Sequence, residues 1–229
     1  MAQYVIATVK SWNIDNCNRL MSRFPDDKFY VITEKEDLTA QKLRELNPRY
    51  VFLPHWSWII PEEIYNSFEC VVFHMTDLPF GRGGSPLQNL IVRGIYDTKV
   101  SAIRVEKGVD TGAIYLKKPV DISVGNVDDI LSKVSEIVFG EMIPEFIAGN
   151  LVARKQEGEV VTFKRRTPEQ SEIPESLTVR QIYDYIRMLD GEGYPAAYKD
   201  MGDARIYFRN ARMEGDKVYA ETEIIRRDE

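Results

Sequence analysis

Several features are scarce in this chain of 229 residues, and each scarcity narrows what it can be. The two cysteines, Cys17 and Cys70, lie far apart in no metal-ligand or redox spacing, so no disulfide framework is expected and both read as small buried thiols. No uninterrupted apolar run approaches the roughly 20 residues needed to cross a bilayer. The opening MAQYVIATVK turns polar too early for a secretory signal, so a cytoplasmic location is expected and a membrane partner is not. Basic residues are outnumbered: a formal net charge of −6 argues against broad, sequence-independent binding to nucleic acid, which relies on Lys and Arg neutralising phosphates. Internal repeats and low-complexity tracts are also missing.

What remains is a chain with the ordinary apolar and charged fractions of a globular protein, long enough for one α/β domain and a small appendage. Met1 to Val9 reads as a buried strand, followed by a polar loop, Lys10 to Asn13, and a helix in which Cys17, Leu20, Met21 and Phe24 recur at helical spacing. Strands at Phe29–Thr33, Tyr50–Pro54 and Val71–His74 alternate with a helix over Thr39–Leu46. That alternation implies βαβ units around a mainly parallel sheet. Gly81 to Pro86 lead into a helix over Leu87–Arg93. Strands at Val100–Glu106 and Ala113–Val120 flank the turn Lys107–Gly112, and a long helix covers Asp128–Ala148. The expected division is a first domain over residues 1–163, a Pro-containing charged linker over 164–177 and a small α+β subdomain over 178–229. The last begins with a helix capped by Thr178 and continues with strands near Ala204–Arg209, Ala211–Met213 and Val218–Ile224.

In parallel sheets ligands bind beyond the carboxyl ends of the strands, which directs attention to the segments beginning at Lys10, His55 and His74. The last is the most informative. His74-Met75-Thr76-Asp77-Leu78-Pro79-Phe80-Gly81-Arg82-Gly83-Gly84-Ser85-Pro86 sets a histidine at a strand end beside a glycine-rich loop, and Gly108-Val109-Asp110-Thr111-Gly112 adds a carboxylate on a later loop. An imidazole can accept or relay a proton while a carboxylate orients it and stabilises its charged form. The plainer alternatives are a satisfied structural histidine at the strand end and an Asp110 that only caps its Asp-Thr-Gly turn.

These segments resemble the folate-dependent formyltransferases, whose motif runs Asn-x-His-x-Ser-x-Leu-Pro-x-x-Arg-Gly-x-x-Pro with Leu-Asp-Thr-Gly downstream. The chain carries the histidine, Leu78-Pro79, Arg82-Gly83, Pro86 and Asp110-Thr111-Gly112 in that order. A second likeness, over Ile186–Asp190 and Gly193–Tyr198, is to the region after the catalytic domain of tRNA and sugar formyltransferases. The resemblance implies a Rossmann-like catalytic domain, N10-formyltetrahydrofolate as donor and no metal. It also implies that His74 polarises the formyl oxygen or handles protons, with Asp110 orienting it or shuttling the proton.

One position departs. Two residues before the histidine, where the family has asparagine, stands Val72, so an oxyanion donor is missing. His55, Gln88 or Asn89 could substitute; alternatively the enzyme is slow, or the protein binds folate without transferring formyl. The resemblance assigns the pterin site to His55, Trp56, Trp58, Ile59 and Ile60, opposed by Val105, Lys107, Gly108 and Val109. A phosphorylated amine substrate would be met by Lys10, Ser11, Trp12, Asn13, Met75, Arg82, Gly83 and Gly84. Both groups have plainer alternatives, core filling for the aromatics and a solvated loop for Lys10–Asn13. Among the acceptors that the resemblance implies, the acidic balance and the short segment after the linker count against an aminoacyl-tRNA and the Ile186–Tyr198 region against glycinamide ribonucleotide, leaving a nucleotide-linked amino sugar, for which the resemblance implies a 4-amino-4,6-dideoxyhexose used in N-formylated surface polysaccharide. The C-terminal strands could pack on the first domain or form a homodimer surface.

Overall fold

The computed structural model describes residues 1–149 and 151–227, so the last two residues of the expected 178–229 subdomain lie outside the described residues. Along the chain the elements are β1 (Gln3–Ala7), α1 (Ser11–Arg23), β2 (Lys28–Ile32), α2 (Ala40–Leu46), β3 (Tyr50–Leu53), α3 (Glu62–Ser67), β4 (Cys70–His74) and β5 (Phe80–Gly83). There follow α4 (Pro86–Ile91), β6 (Asp97–Arg104), β7 (Ile114–Asp121), α5 (Val127–Ile137), α6 (Ile143–Ala148), β8 (Val161–Phe163), α7 (Val179–Arg187), β9 (Ala197–Met201), β10 (Ala204–Glu214) and β11 (Lys217–Arg226). The chain divides into two compact units: one takes in Met1–Arg82, Lys99–Val120 and Ser132–Thr162, the other Gly83–Thr98, Asp121–Leu131 and Phe163–Glu229. The second unit thus draws on two segments that precede residue 163.

The first unit is built on a six-stranded sheet in the order β2-β1-β3-β4-β6-β7. β1 runs parallel to β2 and β3, and β3 parallel to β4, whereas β6 returns antiparallel to β4. Successive strand residues alternate between two buried faces, which is why β1 and β3 read as unbroken apolar runs. Val5, Ala7, Val51 and Leu53 join a cluster with Leu43 and Ile64 of the covering helices. The other face is aromatic: Phe146 packs edge-on against Tyr50, Phe52 and Tyr115, with ring centroids 5.0–5.4 Å apart.

The structure departs from the sequence expectations in instructive ways. The loop expected at Lys10–Asn13 is instead the start of α1, whose buried stripe is Asn13, Asn16, Cys17 and Leu20. The spacing is helical throughout, but two asparagines occupy its first positions and hid the apolar period. The single helix expected over Asp128–Ala148 is split by a π-helical turn, Val138–Met142. Pro144 has no N–H to give the Gly140 carbonyl four residues back, and that carbonyl accepts from Arg23 Nη1 at 2.9 Å instead. Gly81 to Gly83, expected as turn residues, belong to β5, which pairs with β8. The two strands expected at Ala204–Arg209 and Ala211–Met213 are one strand, β10, whose register shifts between Arg209 and Arg212 around the left-handed Asn210. α3 and β9 were not anticipated; α3 is six residues with only Ile64 buried, too little for a period to register.

The second unit holds an antiparallel sheet, β11-β10-β9, with α7, whose Thr178–Gln181 capping box fulfils the expected N-cap. The stretch expected as a linker carries a 3₁₀ turn, Pro168–Ser171, and buries Ser171 and Ile173. The fully buried Arg187 donates to Asp184 Oδ1 at 2.7 Å and to the carbonyls of Ile122 and Gly125 at 3.0 Å. Asp184 Oδ2 accepts from Tyr96 Oη and Arg180 Nε. Among the described residues no helix is long and apolar enough to cross a membrane, and no group of three His, Cys, Asp or Glu could hold a metal ion.

Removing one member of a buried, hydrogen-bonded ion pair strands the other. Asp184→Ala is therefore expected to lower unfolding free energy by about 3–5 kcal/mol in a urea titration; a loss below about 1 kcal/mol would contradict the assigned role.

Candidate active site

His74 ends β4 at the carboxyl edge of the parallel strands and is 9% exposed. Its Nε2 lies 2.8 Å from the Gly81 carbonyl oxygen, which can only accept, so Nε2 carries the proton. Nδ1 faces Asp110 Oδ2 at 3.5 Å, within ion-pair range but too far for a good hydrogen bond. In the neutral ring, that tautomer sets a bare nitrogen toward a carboxylate. The Nδ1–Asp110 edge is thus the side of the ring not committed to the main chain, and it faces a carboxylate. With Nε2–H engaged, this ring offers no second donor for a developing oxyanion.

Asp110 reaches this position through a constrained loop. Its own backbone is left-handed, with φ +53°, an uncommon state for a residue with a side chain. Gly112 lies so close to β6 that a Cβ would stand 1.8 Å from the Arg104 carbonyl oxygen. Gln156 closes the arrangement: its Nε2 donates to the carbonyls of Asp110 and Gly112, both at 2.8 Å, while its Oε1 accepts from Arg82 Nε and Nη2 at 3.0 and 2.8 Å. Arg154, two residues earlier, exchanges backbone hydrogen bonds with Ile114 of β7, which anchors the segment. No motif marked Gln156 in the sequence; it sits in a stretch without helical or strand period.

At the neighbouring strand end, His55 follows β3 with φ +51°. Asn13 is wholly buried, and its Nδ2 lies 2.6 Å from Thr8 Oγ1, 3.1 Å from His55 Nδ1 and 3.4 Å from the Pro54 carbonyl. Its Oδ1 accepts from Ser135 Oγ at 2.5 Å, and Ser135 in turn accepts from Asn16 Nδ2. The Pro54 carbonyl can only accept, which sets Nδ2 toward it; His55 Nδ1 then accepts in the nearer of its two contacts with Asn13, Oδ1 standing 3.4 Å away. Burial, reinforced by the Lys10 charge, pushes the His55 pKa down to about 4, and the ring is neutral at physiological pH. Its Nε2 is sealed from solvent without a partner.

The expected pterin wall has matching character. Trp56 and Trp58 meet edge-on with centroids 4.8 Å apart, and Trp56, Val72 and Val105 all pack on the same apolar cluster. Ile60 is buried, while Ile59 is 92% and Val109 66% exposed, leaving apolar side chains in solvent on both loops. Flat heteroaromatic rings favour such surroundings, so the residues fit a reduced folate. Lys107 accepts from Thr111 Oγ1 through its carbonyl, and Gly108 takes φ +108° in the same turn.

Several expected substrate residues are otherwise engaged. Asn13 is locked in the buried network, Met75 is buried at 6%, and Arg82 is held by Gln156. Gly83 and Gly84 do not open a cradle for an anion: a Cβ on Gly83 would lie 2.4 Å from the Phe163 carbonyl oxygen, and one on Gly84 2.6 Å from Arg165 Cβ. Lys10 stands 5.2 Å over the Trp12 ring, and Ser11 opens α1. Of the other donors considered, Asn89 gives its Nδ2 to the carbonyls of Gly84, Ser85 and Lys164, and Gln88 gives its Nε2 to Met188. Both belong to the second unit.

A mainly parallel α/β sheet with a histidine and a carboxylate facing each other at its carboxyl edge is a layout in which ligands bind beyond the strand ends. Residues 20–139 match the family described as Formyl transferase, and residues 168–225 match Methionyl-tRNA formyltransferase, C-terminal domain. The chain belongs to the formyltransferase family. The methionyl-tRNA formyltransferase of Thermodesulfovibrio yellowstonii is 28% identical over 178 residues, 75% of this chain and 57% of the relative. The solved methionyl-tRNA formyltransferase from Clostridium thermocellum is 51% identical with a TM-score of 0.94, covering 99% of this chain and 100% of that one. A sugar N-formyltransferase from a Shewanella species shares the fold at 16% identity, with a TM-score of 0.71 over 92% and 97% of the two chains. The chain spans little more than half the length of the curated relatives it matches. The nucleotide-sugar acceptor expected from the sequence is not what the more similar proteins are named for.

Gln156→Leu is expected to free the Asp110 loop. Amide hydrogen exchange should quicken in residues 107–113 while the β1–β4 core keeps its protection. Unchanged exchange there would mean Gln156 does not hold the loop.

Proposed function

We propose that this chain transfers a formyl group from N10-formyltetrahydrofolate to a primary amine, and the observation that carries the reading is His74 Nδ1 facing the Asp110 carboxylate at 3.5 Å while Nε2 is committed to the Gly81 carbonyl. The neutral amine nitrogen attacks the formyl carbon, a new C–N bond forms, and the carbonyl electron pair moves to oxygen. The amine proton passes to the Nδ1–Asp110 edge. As the oxygen pair returns, the bond to the folate nitrogen breaks and that nitrogen receives the proton, so charge and protons balance. Trp56, Trp58 and Ile59 on one loop, with Val105 and Val109 on the other, would take the faces of the pterin, whose edge would meet backbone groups.

For the acceptor, the names of the similar proteins favour methionyl-tRNA, or another amine handled by an enzyme of that type. A nucleotide-linked amino sugar is the second reading, supported by the net charge of −6, which is unhelpful for holding a polyanion. A folate-binding protein without catalysis is the third, motivated by Val72.

The test is release of tetrahydrofolate from the formyl donor in the presence of methionyl-tRNA, of nucleotide-linked 4-amino sugars, or of no amine. Release in step with an amine is expected, and His74→Ala and Asp110→Ala should each lower turnover by roughly 100–10,000-fold. Full activity in either variant would overturn the assignment of the pair, and no turnover with any amine would overturn the enzyme reading.

A further inference from the structure

We infer that His55 supplies, from Nε2–H, the hydrogen bond that receives negative charge on the formyl oxygen, a duty no side chain of β4 can discharge. The inference rests on the formyl-transfer reading above and deepens it. Four observations carry it.

The first is placement. β3 and β4 are parallel neighbours with Leu53 opposite Val72, and two residues beyond this pair stand His55 and His74, at the same carboxyl edge of adjacent strands. The second is the tautomer. Asn13 Nδ2 lies 3.1 Å from His55 Nδ1, nearer than Asn13 Oδ1 at 3.4 Å, and Nδ2 also faces the Pro54 carbonyl, which can only accept, so the nearer contact places the ring proton on Nε2. The third is that this N–H is sealed from solvent with no acceptor. A buried donor without a partner is costly, so such a group is usually found where something binds. The fourth is exclusion. Val72 has no donor, and His74 Nε2–H is held by the Gly81 carbonyl.

Burial keeps the His55 ring neutral, which suits a hydrogen-bond donor that must not itself lose or gain a proton during the reaction. The left-handed backbone at His55 is consistent with a side chain held for a purpose, since residues in sparsely populated backbone regions cluster at active sites. The Asn13 network makes the donor rigid, and a donor already aimed needs no reorganisation when charge develops.

The chain holds two histidines, so a long-range proton–nitrogen NMR spectrum shows two imidazoles, and a His74→Asn sample assigns them. His55 is expected as the Nε2–H tautomer in the free protein, and saturation with 10-formyl-5,8-dideazafolate, a stable analogue of the donor, should move its Nε2 proton downfield. An Nδ1–H tautomer, or an Nε2 proton indifferent to the analogue, would overturn the inference. Kinetically, His55→Ala should lower kcat by about 100–1000-fold with the KM for the donor within about threefold of wild type, and His55→Gln, which keeps an N–H donor, should recover at least about tenfold of the loss. A loss confined to KM, or no recovery with glutamine while both variants unfold like wild type in urea, would also overturn it. If the wild-type protein transfers formyl to no amine, the formyl-transfer reading fails by itself. The NMR arm then still decides whether His55 donates to the formyl group of a bound folate.

Discussion

The site depends on one amide. Gln156 joins the carbonyls of Asp110 and Gly112 to the guanidinium of Arg82, and each end of it meets a group of the opposite hydrogen-bonding kind. It adds to a left-handed backbone at Asp110, the Thr111–Lys107 hydrogen bond within the turn and the close approach of Gly112 to β6. A carboxylate that must meet an imidazole to within a few tenths of an ångström is positioned by its surroundings, and misplacement by about 1 Å can cost on the order of 100-fold in rate. The approach of Asp110 to His74 is thus held in part by a residue 46 positions away from Asp110 in the chain.

The two histidines illustrate how identical side chains receive different duties. His74 has a carbonyl on one nitrogen and a carboxylate near the other, which fixes where its proton is and where another could go. His55 has an amide donor on Nδ1, a cationic neighbour in Lys10 and nothing on Nε2, which makes it a neutral donor. Two adjacent parallel strands bring both to one edge. On the proposed reading, this division of labour would let formyl transfer proceed where valine stands in place of the family's asparagine, without a charged group being added to the site.

Much of this was legible in the sequence. Apolar runs announced β1, β3 and β4 because both faces of the central sheet are covered, and the spacing of His74, Leu78-Pro79, Arg82-Gly83 and Asp110-Thr111-Gly112 announced the family and the pair. What escaped has a common physical character. Asn13 and Asn16 occupy buried helical positions normally read as apolar, so the start of α1 looked like a loop. Gln156 acts through main-chain carbonyls, which carry no sequence signature. Gly83 and Gly84 were assigned to ligand approach because glycine allows it, yet here the same absence of a side chain admits β8 and the residues after it. The acceptor was read from charge and segment length, which report on surfaces in general, whereas the similar proteins are named for another amine.

The central claim is that formyl chemistry takes place at the carboxyl edge of β3 and β4. The most direct measurement is a crystal structure with 10-formyl-5,8-dideazafolate bound. The account requires the ring system between the Trp56–Ile59 loop and the Val105–Val109 loop, with the formyl carbon placed so that an amine about 3–3.5 Å away would also touch the His74–Asp110 edge. A folate seated elsewhere, or one whose formyl group points away from both histidines, would contradict it.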